Sequence, residues 1–201
     1  MNLPADLARL LEFASVGFAI LYLALAIRQS LWCWPAALVS TLIWMVVAAD
    51  ARLYMDSALQ VFYFAMGIYG WLRWRGGAGR VGARVHWWRP SIHAAVLVLT
   101  LLLSAIAARA LSGTDAEFPF LDSFTTVAAV IATFMVAHKV MENWIYWFVI
   151  DSAYIYLYVE RGLFGYAGLY IVYLVMIVIG FQVWRQEAAS RGMEADAQAR
   201  A

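Results

Sequence analysis

The sequence predicts an all-α, polytopic membrane protein of seven transmembrane helices, and three observations carry that reading. Hydrophobic residues make up 65% of the 201 residues and charged residues only 13%, about half the charge that clothes a water-soluble domain of this size. Seven separate stretches approach the roughly 20 apolar residues that a helix needs to cross a bilayer. The chain also matches itself, without gaps, at a spacing of 110 residues.

The first span, Ala8 to Ile27, is too long for the apolar core of a secretory signal and has neither a basic start nor a small-residue cleavage site, so it reads as a membrane helix. The second, Pro35 to Ala49, opens on a proline, whose missing N–H costs nothing in a first turn. The third, Ser57 to Leu72, and the sixth, Asn143 to Val159, carry polar and aromatic residues within them. Those two and the second are expected to be lined by protein or a cavity on at least one side. The fourth and fifth, Ser91 to Leu111 and Ser123 to Val140, are apolar, and the seventh runs from Tyr166 to Trp184. The remainder, 186–201, is small and charged and reads as a frayed, flexible extension.

With seven spans the loops alternate sides. One side receives ten Lys and Arg residues, among them Arg73, Arg75, Arg80, Arg84 and Arg89, and the other four, namely Arg9, Arg52, Arg109 and Arg161. The positive-inside rule then puts the amino terminus outside and the carboxyl terminus in the cytoplasm. The loop "RWRGGAGRVGARVHWWRP" becomes a cytoplasmic connector and a topology determinant. A net charge of +1 with one short basic loop argues against nucleic acid as a partner. The single Cys33 excludes an intrachain disulfide framework and a cysteine metal cluster. There is no Walker A sequence, so ATP is not a direct energy source.

The 110-residue match pairs Trp34 with Trp144, Asp50 with Glu160, Leu53 with Leu163, Tyr63 with Tyr173, Gly70 with Gly180, and Trp74-Arg75 with Trp184-Arg185. These pairs occupy corresponding places in spans two and three and in spans six and seven, as a duplication requires. Two three-helix units in tandem would be inverted unless one span separated them. The fourth span supplies it and makes the repeats parallel, a 3+1+3 plan found among transporters with a midplane site at the repeat interface. The division expected is therefore a first bundle over 1–73, the basic loop and linking helix over 74–113, a second bundle over 114–185, and the tail over 186–201.

Polar residues within the spans mark the candidate site. Asn143, Trp147 and Asp151 follow one another at i, i+4 and i+8, with Trp144 and Tyr154 flanking the same stripe. An Asp near the middle of a spanning helix costs about 2.5–3.5 kcal/mol on insertion scales, so it faces a bundle interior or a wet cavity. The third span bears Gln60, Tyr63, Phe64 and Gly67 on one face, and the seventh bears Tyr170, Tyr173, Leu174 and Ile177 at the matching positions. Trp44 and Trp147 lie beyond the first turn of their helices and join the candidate substrate contacts. Trp32, Trp71, Trp74, Trp87, Trp88 and Trp184 fit the aromatic belts at the membrane interfaces. Gln60 and Asn143 bind either a ligand or a neighbouring helix, and Asp151 serves either the site or a tyrosine hydroxyl. His138 and Glu142 stand at i, i+4, but two ligands without a third make no metal site and both read as interface residues. An integral membrane enzyme would draw on His93, His138, Glu142 and Asp151, yet no nucleophile accompanies them and both histidines fall near span ends.

The stretches "LWCWPAAL", "LYMDSALQVFYFAMGIYGWLRW" and "KVMENWIYWFVIDSAYIYLYVERGLFGYAGLY" resemble the PnuC family of bacterial vitamin transporters. The resemblance implies a core of two three-helix bundles, similar in plan to the SWEET sugar transporters. It implies facilitated diffusion of a nucleoside-like vitamin, nicotinamide riboside first among them, with riboflavin, thiamine and deoxynucleosides as alternatives, and trapping by cytosolic phosphorylation. No cofactor and no catalytic or metal-binding residue is implied. By resemblance the substrate meets Gln60 of the third span and Asn143, Trp144 and Trp147 of the sixth. Tyr63, Trp44, Asp151 and Tyr173 complete the expected wall. Asp151 would attract a cationic pyridinium or thiazolium ring or orient a tyrosine. The partners expected are the vitamin, the lipid bilayer and further copies of the chain in a homotrimer.

Overall fold

The computed structural model describes residues 3–50, 54–76, 84–111 and 118–199. Those residues form seven α-helices: α1 (Ala5–Ile27), α2 (Cys33–Asp50), α3 (Tyr54–Arg75), α4 (Pro90–Leu111), α5 (Pro119–Ala137), α6 (Asn143–Glu160) and α7 (Phe164–Ala199). Each expected span falls in its own helix with ends a few residues apart. The central glycines of the basic loop and Leu53 lie outside the described residues. The largest difference is α7, whose helix continues to Ala199 through the segment expected to fray. Its Ala, Gln, Glu, Arg and Met content accounts for this, because these residues lose little freedom in a helix.

Five helices, α1, α2, α4, α5 and α7, are long and apolar enough to cross a membrane. The other two, of 22 and 18 residues, have the length but fall short in hydropathy, because tyrosines, tryptophans and polar side chains take the place of aliphatic ones. They are the two helices that carry Gln60 and the Asn143–Asp151 stripe.

The chain divides into two compact units at Arg84 and Val85. In the first, α1 packs on α2 and α2 on α3. Hydroxyls join these neighbours: Ser40 Oγ donates to the Ser15 carbonyl at 2.9 Å and Ser57 Oγ to that of Met45 at 3.2 Å. In the second, α4 packs on α5, α5 on α6 and α6 on α7. Its α5 buries Ala128, Ala129 and Ala132 against Ile150 of α6, and small side chains there let two helix backbones approach closely where lipid supplies no hydrophobic drive. Hydroxyls within these helices bond back to the preceding turn, as Thr133 Oγ1 does to Ala129 O at 2.7 Å and Ser104 Oγ to Thr100 O at 2.6 Å. Without such partners they would stand unpaired in an apolar medium.

The duplication reaches the hydrogen bonds. At the end of α1, Gln29 adopts a left-handed φ of 50°, and at the end of α5, Lys139 adopts 55°. The N–H of Gln29 donates to Ala26 O and that of Ser30 to Leu25 O, both at 2.9 Å, while Lys139 donates to Val136 O and Val140 to Met135 O, also at 2.9 Å. Both turns are Schellman closures, which satisfy the last free carbonyls of a helix. Gly162, at φ 70°, closes α6 in the same way.

The matched tryptophans repeat as well. Trp34 of α2 meets Trp74 of α3 edge to face at 5.3 Å and 89°, and Trp144 of α6 meets Trp184 of α7 at 5.3 Å and 90°. Trp34 lies directly over Gly70, and Trp144 over Gly180, so closely that a Cβ on either glycine would run into the indole. Trp184 is fully buried. It is therefore a helix-packing residue and not the interface anchor that its position near a span end suggests, while Trp74 is half-buried. Trp32 and Trp87, 73% and 54% exposed, fit the anchor role.

Candidate functional site

Asn143 is the first residue of α6 and is completely buried. The Schellman turn after α5 sets it there and places Val140 O at 2.6 Å from its Nδ2, which donates to it. Its Oδ1 has no hydrogen-bond partner. A buried amide oxygen left bare costs about 1–3 kcal/mol, which a bound donor would recover.

The neighbouring Glu142 anchors a polar cluster. Its carboxylate accepts the Trp88 N–H at 3.1 and 3.3 Å and stands 2.9 Å from His93 Nε2, while His93 Nδ1 lies 3.0 Å from the Tyr146 hydroxyl. Beside it His86 donates its N–H to Lys139 O and accepts that of Met141 at 2.8 Å. The segment before α4 is thus clipped to the turn that orients Asn143. His138 Nδ1 lies 2.9 Å from the Phe134 carbonyl oxygen, while Glu142 is engaged by Trp88 and His93. No group of three metal-ligating side chains exists among the described residues.

Trp144 is held in the interlock with Gly180 and Trp184, 3% exposed, and its Nε1 lacks a partner, as does that of its counterpart Trp34. Trp147 is half-buried and packs with Phe124, Tyr146 and Tyr154 against the alanine face of α5. Asp151, one turn further, is 4% exposed. Tyr170 and Tyr173 of α7 lie within electrostatic reach of its carboxylate. Five tyrosine rings extend from there toward the α6–α7 turn: Tyr154 lies 5.0 Å from Tyr170, Tyr158 lies 5.4 Å from both Tyr166 and Tyr170, and Tyr173 lies 5.5 Å from Tyr170.

In the first unit Trp44, Gln60 and Tyr63 are each half-buried. Tyr63 packs edge to face on Phe62 at 5.6 Å. Gly67, one turn along from Tyr63, lets α3 come close to Leu38 of α2, whose Cδ2 would stand 2.8 Å from an added Cβ.

Within the second unit, then, Tyr173 of α7 lies within electrostatic reach of Asp151 of α6, and Trp147 stands one turn before Asp151 on the same helix face. Two features escape the sequence reading. The His93–Glu142 contact joins residues 49 positions apart with no local pattern to announce it. Tyr158 and Tyr166 were legible only as the i+4 partners of Tyr154 and Tyr170. A groove of about 370 Å³ reaches Trp144 along the flank of α6 and α7, between Phe148, Ile177 and Phe181, with Arg185 at one end. Asn143, Trp147 and Asp151 do not line it, and its apolar walls suit an acyl chain better than a polar substrate.

Apolar helices arranged as two hairpin-rich units, with amide, carboxylate and aromatic side chains kept among them, define a polytopic α-helical membrane protein. The chain belongs to the nicotinamide mononucleotide transporter family, whose model matches residues 9–186. It is 24% identical over 185 residues to the nicotinamide riboside transporter PnuC of Escherichia coli strain K12, covering 79% of this chain and 77% of that one. It is 27% identical over 173 residues to the riboflavin/roseoflavin transporter RibM of Streptomyces davaonensis, covering 82% and 79%. The crystal structure of the vitamin B3 transporter PnuC shares its fold, with a TM-score of 0.72 at 18% identity over 90% of this chain and 82% of the other.

Proposed function

We propose that this transporter carries a nucleoside-like vitamin across the inner membrane, nicotinamide riboside first, by facilitated diffusion with alternating access and trapping by cytosolic phosphorylation. Both curated relatives described above are vitamin transporters, one for a riboside and one for a flavin. The observation that carries the site is the completely buried Asn143 amide with its bare Oδ1. A ribose hydroxyl or a carboxamide N–H of the substrate completes it. Gln60 supplies the second amide, Trp147, Trp144, Trp44, Tyr63 and Tyr173 supply flat apolar surface for the base, and Asp151 stands at the end of the stripe.

The recurrence of turns and interlocks at 110 residues supports a 3+1+3 plan with α4 as the linking span. The distribution of Lys and Arg supports an outside amino terminus and a cytoplasmic carboxyl terminus. Family resemblance supports a homotrimer, which native mass spectrometry of the purified protein would count.

The test is uptake of labelled nicotinamide riboside into vesicles reconstituted with the protein. Asn143→Ala, Gln60→Ala and Trp147→Ala are each expected to lower uptake about tenfold at equal reconstituted amounts, the factor that 1.4 kcal/mol represents. Undiminished uptake in all three would discard the site. Riboflavin is the second reading, favoured by the 27% identity to a riboflavin transporter, and belongs in the same assay.

A further inference from the structure

The tyrosines of α6 and α7 are more numerous than packing requires. Tyr154 and Tyr158 are separated by one turn on α6, with their rings stacked at 6.1 Å and 23°. Tyr166, Tyr170 and Tyr173 follow one face of α7, and each lies within 5.0–5.5 Å of another ring of the set. The Tyr170 hydroxyl is at the centre, in electrostatic reach of Tyr154, Tyr158, Tyr173 and Asp151. Phenylalanine would pack as well and leave no hydroxyl to satisfy. The set therefore concentrates oxygen atoms and ring quadrupoles, negative at their faces, along one strip that ends on a carboxylate.

Among the described residues of the second unit no cation is paired with that carboxylate. Asp151 is 4% exposed, and its carboxylate accepts no hydrogen bond and forms no ion pair among the described residues. Arg161, at the far end of α6, is roughly 15 Å away along the helix axis at 1.5 Å per residue, and its guanidinium is engaged by Asp122 at 2.9 Å. Lys139 lies beyond the opposite end of the helix. An acidic side chain inside a spanning segment is expensive and is normally paired.

We propose that Asp151 and the tyrosine set Tyr154, Tyr158, Tyr166, Tyr170 and Tyr173 form a charge-selecting subsite that takes a flat organic cation in preference to a neutral ring of similar size. This deepens the transport reading given above and rests on it. Among the vitamins considered, it selects those with a pyridinium or thiazolium ring and disfavours the uncharged isoalloxazine. The tyrosine rings attract the cation through their faces and hydroxyls, and Asp151 supplies the counter-charge.

The experiment measures binding of two pairs of ligands to the purified full chain in lipid nanodiscs by calorimetry. One pair is nicotinamide riboside and its reduced, uncharged dihydro form, and the other is thiamine and riboflavin. The wild type is expected to prefer a cationic member by about tenfold or more, a factor within reach of one opposite charge even when partly screened. Asp151→Asn, which keeps the shape and removes the charge, is expected to reduce that preference to about twofold or less. Tyr170→Phe retains the ring and is expected to lower it less than Tyr170→Leu. A fixed preference in Asp151→Asn, a wild type that favours the neutral member of both pairs, or an equal effect of added sodium on all ligands that Asp151→Asn abolishes would each overturn the proposal while leaving the transport reading intact. Absence of binding by every ligand, together with absent uptake in vesicles, would remove both.

Discussion

At the scale of single residues, the two glycines beneath the tryptophans are the most closely covered of the described glycines. Adding a methyl group at Gly70 pushes it into the Trp34 indole, and at Gly180 into that of Trp144. Each alanine variant is expected to lose about 1–3 kcal/mol, the usual cost of overpacking a tight contact. Thermal unfolding in detergent, followed by tryptophan fluorescence, measures it. Gly17→Ala is the control, since nothing stands within 4 Å of its added Cβ. The pairing of Trp34 with Trp144 and Gly70 with Gly180 was legible from spacing alone, but their contact was not, because a self-match says which positions correspond and not which ones touch. Trp184 shows the limit of the interface rule. The rule assigns tryptophan by depth, and Trp184 is fully buried against Trp144. Glu142 and His93 show another limit, because a contact across 49 residues leaves no periodic trace.

At the scale of elements, apolar run length determined the helices well, since the lipid requires a nearly constant span and leaves little freedom except at the ends. The ends themselves depend on turn chemistry. Gln29 and Lys139 occupy left-handed positions that cost an L-residue roughly 1–2 kcal/mol relative to glycine. Gln29→Gly and Lys139→Gly are each expected to stabilise the chain by about 0.5–1 kcal/mol once the greater freedom of glycine when unfolded is counted. Gly162→Ala is expected to destabilise by a similar amount. Chemical denaturation midpoints, compared across the three variants, check both signs. The polar side chains of α3 and α6 were legible as departures from lipid-facing composition, and these are the helices that fall short in hydropathy. The course of α7 past Trp184 was not, because a charged, helix-forming segment in water looks like any solvated tail until its propensities are summed.

For the whole molecule, the duplication visible at 110 residues extends from sequence identity to turn geometry and ring packing. The placement of Lys and Arg supports the orientation proposed above. In a Cys33→Ser background, a cysteine at Ala201 is expected to react with a membrane-impermeant maleimide in inverted vesicles and stay unlabelled in intact cells. Labelling of intact cells would reverse the assignment. The interlocked tryptophans also bear on how such a protein moves. Trp34, Gly70 and Trp74 join α2 and α3 at the end opposite their covalent turn, and Trp144, Gly180 and Trp184 do the same for α6 and α7. A hairpin fastened at both extremities resists splaying and behaves as a single strut. A cycle that opens and closes a path for cargo is expected to move each strut as one piece and to place its bending outside the two hairpins.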